Sequence, residues 1–242
     1  MTSCCPVVEL RQYTLHAGQR DALIELFERE FIESQEALGI SVIGQFRDRD
    51  DPNRFVWLRG FPDMTARGAA LAAFYGGQVW QAHRTTANAT MLDSDNVLLL
   101  RPASGGSGFA LTERRDRLSD DPPGESLVVA TIHYLDEDAI AGFARFFAAT
   151  MLPTIVAAGG TVVATLATES AENNFPRLPV REDEPVFVWL CRFPDLAAYE
   201  RFGMALRRSE DWRAHASPEI LRQFRRKAES LSLVPTRRSL LR

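Results

Sequence analysis

The chain has 242 residues, of which 45% are hydrophobic and 25% are charged, as is ordinary for a globular protein. A net charge of −4 gives no electrostatic reason to expect nucleic acid or an anionic membrane as a partner. Three cysteines do not make a disulfide framework. No apolar run approaches the roughly 18 residues of a membrane helix, and the first residues lack the features of a signal or transit peptide. We therefore expect a cytoplasmic protein.

One segment of the chain returns 132 positions later. Residues 55–64 (FVWLRGFPDM) recur as residues 187–196 (FVWLCRFPDL). The same offset carries Trp80 and His83 onto Trp212 and His215. All four tryptophans lie in these matched segments, so the similarity is not accidental. The pattern predicts a tandem duplication, and the fold has to accommodate it.

The first half begins with a strand predicted over residues 7–15, where apolar and polar residues alternate. A helix with one apolar stripe follows over 19–38, then strands over 40–46 and 54–61 joined by a hairpin. Asp63 is a candidate N-cap for the next helix, which a second helical segment (80–91) and a strand (96–101) follow.

The second half repeats this order. We predict a strand over 127–135, a helix with an apolar stripe from Ile140 to Met151, and strands over 161–168, 186–193 and 231–234. Helices begin near Asp195 and Asp211, and the loop over 169–184 is about 12 residues longer than its counterpart. The predicted domains are therefore 6–102 and 126–236. The glycine-, serine- and proline-rich residues 103–125 are expected to form a flexible, exposed linker.

Strand, helix, strand, strand, helix, strand is the order of the ferredoxin-like split βαβ fold. Each such sheet carries its helices on one face and leaves the other face bare, and burying apolar area stabilises at about 25 cal/mol per Å². The expected fold class is therefore α+β, with two tandem ferredoxin-like units whose sheets form an α+β barrel within one chain. The molecule would be a monomer with pseudo-twofold symmetry or a homodimer.

The segment Glu9–Gly18 (ELRQYTLHAG) resembles the opening signature of the NIPSNAP family. The strand at Val56-Trp57, the following Phe61 and residues 233–239 are also similar to that family. The resemblance implies the dimeric α+β barrel superfamily, which includes antibiotic-biosynthesis monooxygenases, haem-degrading monooxygenases, muconolactone isomerases and chlorite dismutases. Because a shared fold does not transfer chemistry, the reaction stays open.

Glu9, Arg11 and Tyr13 lie on one face of the first strand, whereas the second half has Val129, Thr131 and His133 there. The polar group is thus present once, which favours one active half and one structural half. It is interpreted either as a binding group for an anionic or phenolic ligand, with Tyr13 as donor or general acid, or as a structural ion pair. We expect a single principal pocket lined by this strand, Trp57 and His83, with Trp189 as the matching aromatic residue.

His83 and His215 occupy equivalent helix positions. In haem-degrading relatives a helix histidine in a similar context ligates iron, so the resemblance makes haem a candidate cofactor; acid–base and purely structural roles are the alternatives. His133 is a second candidate base. No histidine spacing indicates a metal site, and no nucleotide-binding glycine motif is present, so no cofactor is predicted.

The leading hypothesis is a small-molecule enzyme of secondary metabolism or degradation, of the monooxygenase, isomerase or lyase type. Its substrate would be aromatic or polyketide-like, with His83 or His133 as base and Arg11 with Tyr13 holding the oxyanion. One alternative is a non-catalytic ligand-binding or protein-interaction protein, as the resemblance to NIPSNAP proteins also implies. A haem-binding monooxygenase is the second alternative.

Overall fold

A computed structural model describes residues 5–111, 124–223 and 225–242. Its strands are β1 (Val7–Leu15), β2 (Ser41–Asp48), β3 (Arg54–Phe61), β4 (Met91–Pro102), β5 (Leu127–Tyr134), β6 (Thr161–Thr168), β7 (Val186–Phe193) and β8 (Glu229–Pro235). Its α-helices are α1 (Arg20–Leu26), α2 (Ile32–Glu36), α3 (Met64–Gly76), α4 (Gln78–Asn88), α5 (Ile140–Phe146), α6 (Leu152–Ala157), α7 (Leu196–Arg208) and α8 (Ser217–Gln223).

The strands close into one barrel in the order β1-β3-β2-β8-β5-β7-β6-β4, with antiparallel pairing throughout. Each half contributes four adjacent strands, and the seams between halves are β2–β8 and β4–β6. The two halves share pairing details. Both β2 and β6 are irregular at the same place in the register against their partners, between Val42 and Gly44 and between Val162 and Ala164.

The barrel interior is apolar and is built by both halves. Alternate residues of the strands point inward, because side chains of a strand alternate between its faces. Val8 and Leu10 of β1 therefore meet Val128 and Ala130 of β5 in one buried cluster. The predicted packing of two sheets through their bare faces is thus seen as a closed barrel.

The helices pack on the outside of the barrel. Asp63 caps α3, because its carboxylate accepts a hydrogen bond from Ala66 N at 2.7 Å, and Asp195 caps α7 by the same contact with Ala198 N. Between α1 and α2, and between α5 and α6, the chain takes one wider π-helical turn, at Phe27–Phe31 and at Phe147–Met151. Their aromatic residues face the sheet.

Several predicted boundaries change in the structure. The strands predicted over 54–61 and 161–168 have the expected bounds, but β4 begins at Met91, which the sequence had assigned to a helix. Helix α4 ends at Asn88, and Thr90 then hydrogen-bonds the carbonyl of Ala87.

Part of the predicted linker and of the N-terminal tail is buried. The carbonyl of Ser107 accepts a backbone hydrogen bond from Thr165 N of β6, and Phe109 is packed in the barrel core, so this stretch is not a flexible, exposed tether. Residues 112–123 of the predicted linker lie outside the described residues. Cys5, near the start of the chain, is buried against Gly60, where an added Cβ would lie 2.4 Å from it.

The helical stretch Glu137–Ala157 corrects one expectation from the sequence. It has 21 residues and a mean hydropathy of 1.6 in its most apolar window, so its length and composition would suffice to cross a membrane. The face that includes Phe143, Phe147 and Met151 is buried in a cluster with β5 and β7. Within that window 28% of the residues are buried, and a core helix can have the same length and composition.

Candidate functional site

The outward face of β1 carries the three polar residues that the sequence singled out, and the structure brings them together. Arg11 Nη1 lies 2.7 Å from Glu9 Oε2, and Arg11 Nε donates a hydrogen bond to the Tyr13 hydroxyl at 3.0 Å. All three side chains are buried beneath the first-half helices. Strand alternation thus predicted their common face correctly.

Two further arginines converge on the same carboxylate. Arg59 of β3 is the register partner of Glu9, and its Nε and Nη2 both lie 2.7 Å from Glu9 Oε2. Arg67 reaches down from the first turns of α3, and its Nε donates to Glu9 Oε1 at 2.7 Å. The capped start of α3 at Asp63 places Arg67 over the strand. We call Glu9, Arg11, Arg59 and Arg67 the arginine cluster.

Neutral amide groups accept further hydrogen bonds from the arginine cluster. Arg59 Nη1 donates to Gln35 Oε1 of α2 at 3.2 Å. Arg67 Nη1 donates to Asn173 Oδ1 at 3.1 Å and to Asn174 Oδ1 at 2.7 Å, and both asparagines belong to the long loop of the second half. The second half therefore takes part in this first-half site.

The arginine cluster carries an excess of buried positive charge. Three guanidinium groups surround one carboxylate, and each of the four side chains is at most 1% exposed. Burial opposes ionisation of Glu9, but Arg59, Arg11 and Arg67 outweigh it and hold the pKa of Glu9 well below its usual range. Burial lowers the pKa of Arg67, and the neighbouring Arg59 and Arg11 lower it further, whereas Glu9 raises it. Because buried charges are normally paired, we expect an anion to neutralise this excess positive charge.

Three buried donors at the cluster make no hydrogen bond within the described residues, although one of them, Arg59 Nη2, lies in the ion pair with Glu9. Arg67 Nη2 and Trp57 Nε1 are buried and make no hydrogen bond there. The Trp57 ring lies beside two guanidinium groups, with its centroid 5.0 Å from Arg59 and 5.6 Å from Arg11. An unsatisfied buried donor costs about 1–3 kcal/mol, and a ligand oxygen would remove that cost.

Aromatic rings fill the space that the sequence assigned to a pocket. Trp57 is packed against Phe27 and Tyr13, with ring centroids 4.8 and 6.0 Å away. The ring of Phe31 contacts those of Phe74, Trp80 and His83, with centroids 5.8, 5.6 and 6.4 Å away. The strand, Trp57 and the helix are therefore neighbours, and their side chains contact one another.

The second half has no counterpart of the arginine cluster. At the repeat-equivalent positions of Glu9, Arg11, Gln35, Arg59 and Arg67 it carries Val129, Thr131, Ile155, Cys191 and Tyr199. Burial raises the pKa of the Cys191 thiol to about 12, which disfavours the reactive thiolate. Comparing the two copies outside β1 would have revealed Gln35, Arg59 and Arg67, which the sequence reasoning missed.

The three candidate histidines lie in different surroundings. His83 is 31% exposed, and its Nε2 is 3.5 Å from Glu30 Oε2, whereas His215 is 67% exposed beside Asp211. His133 is buried in the second half, where its Nε2 accepts a hydrogen bond from Trp189 Nε1 at 3.0 Å. Burial lowers the pKa of His133 to about 4. Equivalent backbone positions thus do not give equivalent histidine environments.

An open cleft of about 810 Å³ lies on the outer face of the barrel beside the β4–β6 seam. Leu99, the β4 register partner of Glu9, and Asn173, an acceptor of Arg67, are in its wall. Ile140 and Ala144 of α5 form the opposite side. The wall of this cleft therefore includes two residues that are direct neighbours of the arginine cluster. Among the described residues no group of three or more metal-ligating side chains occurs.

Solved structures share this fold over nearly the whole chain. A proposed monooxygenase from Lactobacillus acidophilus NCFM covers 96% of this chain and 94% of its own, with 12% identity and a TM-score of 0.58. An anthrone oxidase-like protein covers 95% and 91%, with 13% identity and a TM-score of 0.56. At these identities the likeness concerns the fold alone. A NIPSNAP family protein from Agrobacterium tumefaciens str. C58 covers 40% of this chain and 91% of its own, with 23% identity and a TM-score of 0.37.

A comparison with curated proteins finds no match. The family model of NIPSNAP matches residues 8–105, which span β1 to β4 and contain Glu9, Arg11, Arg59 and Arg67. The first half of this chain, residues 8–105, therefore matches the NIPSNAP family model.

Proposed function

We propose that the protein is a small-molecule enzyme that binds an anionic, or readily deprotonated, aromatic or polyketide-like substrate and acts without a dedicated cofactor. The buried surplus of positive charge in the arginine cluster carries this proposal. It is present in one half only, and a buried ion group of this kind adds little net stability, because desolvation offsets the Coulombic gain. A role in binding negative charge accounts for its composition.

The candidate reactions share one electrostatic requirement. Isomerisation or elimination beside a carbonyl develops an enolate, and oxygenation of a phenol without a cofactor begins from the phenolate. Preorganised donors aimed at such an oxygen lower the barrier in a site that excludes water. Arg11 and Trp57 supply these donors, and Tyr13, whose hydroxyl accepts from Arg11 Nε, orients the guanidinium. Secondary metabolism or degradation is the setting we infer for this chemistry.

The two histidines considered as the catalytic base, His83 and His133, are not equally suited to that role. His133 is in the opposite half, accepts a hydrogen bond from Trp189 and has a lowered pKa, so we withdraw it as the base. His83 is next to Glu30 at the rim of the first-half aromatic cluster and stays the candidate base. We further propose that the chain arose by duplication, with the first half keeping the polar site and the second half supporting it.

A reaction suggested by one structural neighbour tests the proposal. Anthrone and O₂ would give anthraquinone and water, which is followed by absorbance and oxygen uptake against the spontaneous rate. We expect catalysis, and Arg11→Gln should reduce it by about 10²-fold, the usual cost of one oxyanion donor. The exposed Arg84→Gln is the matched control and should leave the rate unchanged. Equal rates for all three proteins, on anthrone and on related phenols, would refute the enzymatic proposal.

A non-catalytic binding protein is the second candidate. It is favoured by one observation, namely that all hydrogen-bond partners of the arginine cluster in the described residues are carboxylate, amide or phenol groups, with no histidine among them. Ligand binding that depends on Arg11 but is never followed by turnover would support this candidate over the enzyme.

We infer that neither helix histidine ligates haem. A haem ligand requires an enclosed apolar site, whereas the His215 side chain is largely exposed and His83 is turned toward a carboxylate. Titration with haemin should give no stoichiometric Soret shift. A sharp Soret band that is lost in His83→Ala or His215→Ala would overturn this inference.

A further inference from the structure

The long loop of the second half covers Arg67 by specific contacts. Asn173 and Asn174 accept from Arg67 Nη1, and Asn174 Nδ2 donates to the carbonyl of Met64 in α3. Phe175 stacks on Tyr75 with ring centroids 5.9 Å apart. Glycine at position 68 makes this approach feasible, because a Cβ there would lie 2.8 Å from Asn174 Nδ2. The loop between β6 and β7 is therefore seated on α3.

The contacts of Arg67 leave the two N–H donors of Nη2, out of five in the guanidinium group, for another group. Its Nε is used by Glu9, its Nη1 is held by two neutral amide oxygens, and its Nη2 has no acceptor within the described residues. Nη1 and Nη2 together form the planar fork that a carboxylate matches with two parallel hydrogen bonds. A carboxylate would pair with this charge more strongly than amides do.

The route to Arg67 passes the same asparagines. Asn173 forms part of the wall of the 810 Å³ cleft and is only half-buried, and Asn174 is exposed. Leu178 and Val180 pack against a first-half apolar cluster but are only partly buried. Segments with little buried apolar surface open at low free-energy cost. Moving this loop would join the cleft to the arginine cluster.

We propose that residues 169–185 are a lid, and that an aromatic carboxylate enters from the cleft by replacing Asn173 and Asn174 on Arg67. While no ligand is bound, the two asparagines accept the hydrogen bonds from Arg67 Nη1 that the ligand's carboxylate would accept. This deepens the proposed function, on which it rests, by naming a carboxylate as part of the substrate. It also assigns the second half a task, because its loop closes the first-half site.

The first test compares 2-naphthoate with its neutral isostere 2-naphthamide by calorimetry on the full chain. We expect one naphthoate per chain and at least tenfold weaker binding of naphthamide. Inorganic phosphate, added as a competitor, distinguishes a general anion site from a carboxylate site and should displace naphthoate only weakly. Equal binding of acid and amide, two sites per chain, or no binding of naphthoate would overturn the proposal. These binding measurements do not depend on turnover. A failure of the proposed enzymatic function can therefore be distinguished from a failure of the lid proposal.

The second test uses variants. Arg67→Lys keeps the positive charge but removes the two-nitrogen fork, and should weaken naphthoate binding at least tenfold while the protein stays folded by circular dichroism. Replacing both Asn173 and Asn174 by alanine should strengthen binding, because the competing acceptors are gone. Arg84→Lys on the exposed face of α4 is the matched control. Weaker binding in the double alanine variant would show that the asparagines are ligand contacts and not a lid.

The third test follows the lid directly. Trypsin cleaves after the exposed Arg177 within the loop. Naphthoate should accelerate this cleavage severalfold, because the ligand displaces the loop from α3, and naphthamide should not. Protection of Arg177 by naphthoate would contradict displacement.

Discussion

Glu9 is the residue on which the arginine cluster depends. Glu9→Gln keeps the shape of the side chain but leaves three buried guanidinium groups without a carboxylate. We expect a loss of about 3–5 kcal/mol in the free energy of unfolding, as is typical when one partner of a buried ion group is removed. Urea unfolding at pH 7 measures it. Arg49→Ala, which removes an exposed ion pair with Asp50, should cost less than about 1 kcal/mol.

The same carboxylate gives acid sensitivity of a defined sign. Because the pKa of Glu9 is lowered in the folded protein, its stabilising contribution is present above the unfolded-state pKa and is lost as the pH falls below that value. The difference in stability between the native protein and Glu9→Gln should therefore narrow as the pH falls from about 5 to about 2. A difference that is constant with pH would contradict the assignment of charge.

His133 predicts a second pH dependence in a different window. Its pKa is about 4 in the folded protein, against an ordinary histidine value of 6.5, so it stays neutral in the fold while the unfolded chain binds a proton. Its contribution to stability should be complete above pH 6.5 and fall by about 3 kcal/mol toward pH 4. Urea unfolding of His133→Gln should lack this step, whereas His215→Gln, at an exposed site, should retain it. An unchanged step in His133→Gln would exclude His133 as its source.

At the scale of elements, helix α3 and the long loop are fitted to each other. Gly68→Ala would place a Cβ 2.8 Å from Asn174 Nδ2 and push the loop away, whereas Gly76→Ala on the same helix meets nothing within 4 Å. We expect tryptic cleavage after Arg177 to become severalfold faster in Gly68→Ala and to stay unchanged in Gly76→Ala. The same cleavage rate in both variants would mean that the loop does not depend on this approach.

At the scale of the whole molecule, the barrel needs both halves. The interior cluster draws residues from each, so a separated half would expose a sheet face of apolar side chains. We expect residues 1–111 or 124–242, expressed alone, to self-associate or precipitate. Co-expressed, they should co-purify one to one with the circular dichroism of the intact chain. A soluble, folded monomer of either half would contradict the closed barrel as the folding unit.

The repeat and the alternation of apolar and polar residues determined much of this protein from the sequence alone. They predicted the order of strands and helices, the packing of two bare sheet faces, and the common face of Glu9, Arg11 and Tyr13. These features follow from local periodicity, so they can be recognised from the sequence. Comparing the copies at Arg59 and Arg67 would have extended the polar site, because their counterparts are Cys191 and Tyr199.

Only the tertiary structure decided how these residues are used. Strand register placed Arg59 opposite Glu9, and the start of helix α3, capped by Asp63, placed Arg67 over the same carboxylate. Asn173, which accepts a hydrogen bond from Arg67, lies 106 residues further along the chain than Arg67. The same packing left His83 partly exposed beside Glu30 and placed an open cleft of about 810 Å³ at the β4–β6 seam. Charge compensation and cavity position depend on distances between remote segments, and neither periodicity nor composition contains those distances.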